Sequence, residues 1–376
     1  MIQVPDGWEI KPLKDILSIQ YGKDQKEVEL VNGKYPILGS GGVIGYTNHF
    51  LYDKPSVLIG RKETINNPQY METPFWTVDT LFYSHIKNKN VPKWVYYVFQ
   101  SINWDSYNEA SGVPSLSTAN INRIEILRPI IKEQEKIAKI LSTLDNAIES
   151  TTRIIEKEKN IKTALMQELL TNGIDKNGQI RTPQTHTYKQ SELGLIPDEW
   201  EVDSIENHAK IITGNKDTQD RLDDGGYPFY VRSQTIERIN TYSFDGEAVL
   251  TAGDGVGVGK VFHFVNEKFD FHQRVYCIHD FSEKLNSSFF FEYFRTYFIE
   301  QVNKYSAKGS VDSVRYDMIA LMNIPLPTFE EQKQIAKILT TQDKKIEIEE
   351  TNLDKLKELK KGLMNDLLSG VVRVKV

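Results

Sequence analysis

The sequence predicts an α+β fold. Two similar β-rich globular domains are separated by two long helices that form an antiparallel coiled coil, and the whole is an internal repeat with pseudo-twofold symmetry. The first observation behind this is a duplicated helix: "KEQEKIAKILSTLDNAIE" from Lys132 and "EEQKQIAKILTTQDKKIE" from Glu330 are identical at 11 of 18 positions. The second is that the duplication runs through the chain. "PDGWEI" at Pro5 returns as "PDEWEV" at Pro197, "YPI" at Tyr35 as "YPF" at Tyr227, and "LMQELLTNG" at Leu165 as "LMNDLLSG" at Leu363. The third is an apolar seam, spaced alternately by three and four residues, in both helices. The offset between the copies is 192 in the globular parts and 198 at the helices, so the second copy has gained a few residues in its loops. A repeat this long is not a solenoid.

In chain order the sequence divides at 1–131 (first globular domain), 132–171 (first helix), 172–195 (linker), 196–329 (second globular domain) and 330–376 (second helix and tail). The globular parts carry short runs of Val, Ile, Tyr and Phe broken by Gly, Pro and Asn, such as "YPILGSGG" and "EAVLTAGDG", which read as strands and turns. Each has one expected helix, near "PKWVYYVFQSI" and "SSFFFEYFRTYFIEQV". The linker is polar and turn-rich. In the first helix the seam holds Ile137, Leu141, Leu144, Ile148, Ile155, Leu165 and Leu169, interrupted by Thr151, Glu158 and Lys162. In the second it holds Ile335, Leu339, Ile346, Leu353, Leu356, Leu363 and Leu367, interrupted by Gln342, Glu349 and Lys360. This is a coiled-coil seam with polar breaks. At 1.5 Å per residue each helix is a rod of roughly 58 Å. The short connection from the first helix to the second domain favours antiparallel pairing, so the expected shape is a dumbbell.

Length and composition limit the function. A chain of 376 residues is long for one domain. Apolar residues make up 39% and charged residues 26%, an ordinary soluble balance, and the net charge is −6. The acidic balance counts mildly against a standalone nucleic-acid binder, which is usually basic. The single cysteine, Cys277, excludes an intrachain disulfide framework and a multi-cysteine zinc site. No apolar run reaches the roughly 18 residues of a membrane span, and the start lacks the pattern of a secretory signal. Together these point to the cytoplasm and to no membrane partner.

No catalytic motif stands up. "LGSGGVIG" from Leu38 and "GDGVGVGK" from Gly253 depart from phosphate-loop patterns and read as turns between strands. "NPQY", Asn67 to Tyr70, lacks the second proline of the Asn-Pro-Pro-Tyr motif of adenine methyltransferases. The seven histidines show no metal-ligand spacing. What recurs is polar and basic loop chemistry at strand ends, the residue types that hydrogen-bond base edges and phosphates. In the first domain the candidates are Ser40, Arg61, Lys62, Ser111 and Ser115. In the second they are Lys216, Arg232, Gln234, Lys260, Gln273, Arg274, Lys308 and Ser310.

"SELGLIPDEWEV" before the second domain, the "EQxxIAKIL" helix starts, "LMQELL" and "LMNDLL", and the terminal "GVVRV" resemble the specificity subunits of bacterial type I restriction–modification systems. The resemblance covers nearly the whole chain. It implies that the globular parts are target recognition domains that read two halves of a gapped double-stranded DNA sequence. It also implies that the helices are conserved spacers that dock two modification (methyltransferase) subunits, with restriction (translocase and nuclease) subunits joining the assembly. On this resemblance the chain is non-catalytic and binds no cofactor. S-adenosylmethionine, ATP and magnesium are then expected on the partners. Two other readings stay open at this point: a self-contained DNA adenine methyltransferase built on Asn67–Tyr70, and a coiled-coil adaptor whose heads bind protein.

Overall fold

The computed structural model describes residues 4–305 and 313–375. The chain forms two compact units, one from Met1–Arg153 with Glu350–Val376 and the other from Ile154–Glu349. Each unit contains one β-rich head and a part of both long helices, Ile131–Thr171 and Phe329–Ser369.

In the first head the strand Glu9–Pro12 pairs antiparallel with Glu125–Arg128, so the two ends of the head close on each other beside the helix start. A four-stranded sheet runs in the order Leu17–Tyr21, Leu81–Ile86, Ser56–Gly60, Gln69–Met71. A second runs Glu29–Leu30, Gly42–Thr47, Tyr35–Gly39, Trp76–Thr77. Ser56–Gly60 is buried throughout, as expected of a central strand covered on both faces. One of those covers is the helix Pro92–Ser101, which buries Trp94, Val95, Tyr97, Val98 and Phe99. Its proline sits in the first turn, where a missing N–H costs nothing.

The second head repeats this plan with one merger. Glu201–Ser204 pairs with Asn323–Leu326, and six strands form one sheet in the order Lys210–Thr213, Val275–His279, Phe244–Ala252, Phe262–Phe271, Tyr227–Tyr230, Glu237–Ile239. The ten-residue strand Phe262–Phe271 takes the places that Gln69–Met71 and Trp76–Thr77 hold separately in the first head. The merger itself adds no residue: Tyr70 corresponds to Phe264 and Thr77 to Phe271 at one offset of 194, so the two residues gained here lie in the loop before it. The helix Ser287–Lys304 packs a stacked row of Phe290, Phe294 and Phe298 into the core.

The helices pair antiparallel within each unit. In the first, Ile137, Ala138, Leu141 and Leu367 join the core of the head. In the second, Leu169, Leu170, Ile335, Ala336 and Leu339 do so, with Leu165 against them. Leu144, Ile148, Leu353, Leu356 and Leu363 are half-buried, and Ile155 and Ile346 are buried. Four of the polar breaks in the seam, Glu158, Lys162, Gln342 and Lys360, have partners across it. Lys360 reaches Asp145 at 2.6 Å, and Tyr97 donates to the same carboxylate at 2.7 Å. In the second unit Lys162 pairs with Asp343, which also receives Arg295 at 2.9 Å, and Gln342 donates to the Glu158 carbonyl at 3.1 Å. Each of these four breaks thus pins a helix to its neighbour.

The duplicated Glu-Gln pair at each helix start has a definite role. Gln134 accepts from the Val91 N–H at 2.9 Å and donates to the Pro129 carbonyl. Gln332 accepts from the Asn286 N–H at 2.8 Å and donates to the Pro327 carbonyl. Both glutamines therefore tie the long helix to the first turn of the head helix. Glu133 receives the Trp8 indole N–H at 2.6 Å and the Arg373 guanidinium at 2.7 Å. Glu331 receives Arg181 at 2.5 Å and the Trp200 indole at 3.4 Å. In each unit an arginine from the segment after one helix closes on the glutamate that starts the other. Gly173 (φ +65°) lies so close to Glu331 and Trp200 that a Cβ would clash with both.

Candidate nucleic-acid interface

Backbone pairing lines up the loops of the two heads residue by residue. In the first, Leu38 pairs parallel with Thr77, the Arg61 N–H donates to the Thr80 carbonyl at 2.8 Å, and Leu116 N–H donates to the Arg61 carbonyl at 2.9 Å. In the second, Tyr230 pairs parallel with Phe271, Gly253 N–H donates to the Arg274 carbonyl at 2.7 Å, and Val314 N–H donates to the Gly253 carbonyl at 2.7 Å. The bridge Lys62–Ser115 recurs as Asp254–Ser313. Four places therefore correspond: Ser40 with Arg232, Arg61 with Gly253, Lys62 with Asp254, and Thr80 with Arg274.

Of the candidates in the first head, Arg61, Lys62 and Ser115 come together where two loops bridge. The Arg61 guanidinium lies over the Tyr21 ring, 5.4 Å from its centroid, and Nη1 reaches the Asp79 carbonyl at 3.4 Å. Lys62 and Ser111 are exposed. Ser40 is buried in its turn, where its carbonyl accepts from Gln69 at 3.1 Å. That bond gives Gln69 of the "NPQY" stretch a structural use, and Tyr70 packs against Tyr96 with Lys93 over its ring.

The candidates in the second head cluster more tightly. Arg232 binds Asp254 at 2.8 Å, and the Arg274 Nε lies 3.7 Å from the other carboxylate oxygen. Gln234 donates to the Lys260 carbonyl at 2.9 Å, and Gln273 to Asp217 at 3.0 Å. Lys216 bridges His272 through the backbone. Lys308 and Ser310 lie outside the described residues. Sequence reasoning missed Thr80 and Asp254. The repeat held the signal, because alignment of the two copies sets Asp254 against Lys62.

His272 supports this cluster from beneath. It is buried, and its Nδ1 accepts the Arg274 backbone N–H at 2.9 Å. Burial, together with the Arg232 charge, holds its pKa below the ordinary 6.5, although Asp217 and Asp254 oppose the shift. A group with a depressed folded pKa contributes stability that is present above its unfolded pKa and lost as pH falls through the folded value. Acidification below about 6.5 is therefore expected to loosen the Arg274 loop. An NMR titration of the His272 imidazole reads this directly, and an apparent pKa above that of a free histidine would contradict it. Cys277 plays no part in such chemistry: it is buried, and burial pushes its thiol up to about 12.

The family description "Type I restriction modification DNA specificity domain" matches residues 5–159 and 197–358. The chain belongs to this family. It is a specificity subunit of the type I restriction–modification kind, a non-catalytic component for DNA sequence recognition. The chain is 26% identical over 424 residues to the type I restriction enzyme MjaVIII specificity subunit of Methanocaldococcus jannaschii, covering all of this chain and 95% of that protein. It is 27% identical over 176 residues to the EcoDI specificity subunit of Escherichia coli, covering 47% of this chain and 38% of that one. The fold matches that of the type I restriction–modification S subunit from M. genitalium, with a TM-score of 0.72, 14% identity and 96% of each chain covered. No helix among the described residues is long and apolar enough to cross a membrane.

Proposed function

We propose that each head of this specificity subunit reads one half of a gapped double-stranded DNA target in the cytoplasm, and that the helices dock two modification subunits through which restriction subunits join. S-adenosylmethionine, ATP and magnesium belong to those partners in this reading. One observation carries it. The two heads share one backbone frame at their loop ends, and that frame carries Ser40, Arg61, Lys62 and Thr80 in one head but Arg232, Gly253, Asp254 and Arg274 in the other. A shared frame carrying different residues suits two readers of different sequences, since base edges are distinguished by donor and acceptor pattern.

The test is the methylated motif in cells that make this chain with its modification subunits. Arg61→Ala is expected to relax one block at one position, a loss of about 1–3 kcal/mol there, and to leave the other block intact. Relaxation of both blocks together would make Arg61 a structural residue. Lys62 and Lys260 are assigned to phosphate. Replacing either by alanine is expected to weaken binding at all sequences and lower the salt slope by about one. Absence of any sequence-selective methylation would instead favour a protein-binding adaptor.

A further inference from the structure

We infer that the second head reads two neighbouring G·C pairs, with Arg232 and Arg274 as the guanine-reading side chains and Asp254 as the residue that positions both. The inference rests on the reading of the heads as DNA binders and specifies what one of them recognises.

The arginines are built into one unit. Asp254 Oδ1 holds Arg232 through Nη1 at 2.8 Å, and Oδ2 faces the Arg274 Nε at 3.7 Å. These contacts use different edges of the two guanidinium groups. Among the described residues nothing further occupies the Nε–Nη2 edge of Arg232 or the Nη1–Nη2 edge of Arg274, so each fork can meet a ligand. Both side chains remain open to solvent, at 44% and 66% exposure, while the carboxylate between them is 23% exposed. The backbone beneath is equally constrained. Gly253 donates to the Arg274 carbonyl at 2.7 Å, and a Cβ on Gly257 would come within 2.5 Å of the Arg232 carbonyl. The short loop 253–257 therefore seats the carboxylate against both arginines.

A free guanidinium fork fits a phosphate or the O6/N7 edge of guanine. The carboxylate decides between them. A phosphate docked here would face the Asp254 charge, whereas the guanine edge is neutral and accepts from a fork already oriented. Two forks sharing one carboxylate lie side by side, within reach of adjacent base pairs in the major groove. The first head has no such device, because Lys62 stands at the place of Asp254 and Thr80 at that of Arg274.

The experiment sequences the methylated motif in cells that make the full chain with its modification subunits. The block altered by changes in the second head is expected to contain two consecutive G·C pairs. Arg232→Ala should relax one of them and Arg274→Ala its neighbour, each by about ten- to a hundred-fold in discrimination, with the other block unchanged. Asp254→Asn should weaken choice at both pairs together while the rest of the block stays as it was, a pattern that simple unfolding does not give. Arg232→Lys and Arg274→Lys keep the charge but lose the planar fork, so discrimination at those pairs should still fall while binding overall holds, which guards against alanine variants that fail to fold. A second block without adjacent G·C pairs overturns this inference and leaves the two-reader function standing. So does uniform weakening at every sequence with a lower salt slope, which marks phosphate contacts. No gapped motif at all overturns the reading beneath it.

Discussion

Replacing Glu331 by alanine is expected to destabilise the second unit by about 3–5 kcal/mol, and the same change at Glu133 to cost the first unit less, about 1–3 kcal/mol. The two glutamates occupy the same place in the repeat, so the difference comes from their arginines. Glu331 and Arg181 are 8% and 5% exposed. Glu331 accepts from Arg181 at 2.5 and 3.2 Å and from the Ile174 N–H at 3.0 Å. Without it a buried guanidinium keeps, among the described residues, only Glu199, a solvent-exposed partner at 3.2 Å. Arg373, by contrast, is 39% exposed and can return to water when Glu133 is removed, leaving mainly the Trp8 indole without its acceptor. The double change Glu331→Met with Arg181→Leu should recover much of the loss, since an uncompensated charge costs more than an apolar replacement. A chain of two units need not unfold in one step, so hydrogen exchange read separately in each unit is the proper measurement. A Glu133→Ala loss equal to or larger than that of Glu331→Ala would refute the argument from burial.

The architecture was legible because the repeat is carried by short-range patterns. Apolar spacing such as Ile137, Leu141 and Leu144 shows a helix face without knowledge of its partner. Glycine-broken runs such as "YPILGSGG" show strands in the same way. The loop arginines and glutamines were legible only as residue types. Their arrangement depends on pairings between distant segments. Arg232 and Arg274 converge on Asp254 because a parallel strand pair, Tyr230 with Phe271, sets their loops side by side. Lone charges in polar stretches were the least legible. Arg181 reads as an ordinary linker residue, and Arg373 as part of a tail, until Glu331 and Glu133 come within reach of them. Lys162 and Lys360 look like flaws in a seam, yet each meets an aspartate on the opposing helix.

Those pairings also define how the helices can be lengthened, and with that whether they set the gap in the DNA target. A four-residue insertion near Glu156 of the first helix alone keeps that helix's apolar face roughly in phase but shifts one set of interhelical pairs. Asp145 would keep Lys360 only if Glu158 and Lys162 left Gln342 and Asp343, or the reverse. Such a variant is expected to lose stability or partner docking. Seven residues inserted in both helices, after Arg153 and after Glu349, preserve every one of these pairs, since seven residues are two turns of a coiled-coil seam. The added length is about 10 Å at 1.5 Å per residue, or about three base pairs at 3.4 Å each. If the helices act as a spacer between two readers, the methylated motif of the paired insertion keeps both blocks and widens its unspecified gap by about three base pairs. A two- or five-residue insertion rotates buried Ile155 away from the seam while turning exposed Ile154 and Ile161 towards it, so folding or docking should fail. An active paired insertion with an unchanged gap would rule out the spacer role, and altered bases within a block would make the helix itself a reader.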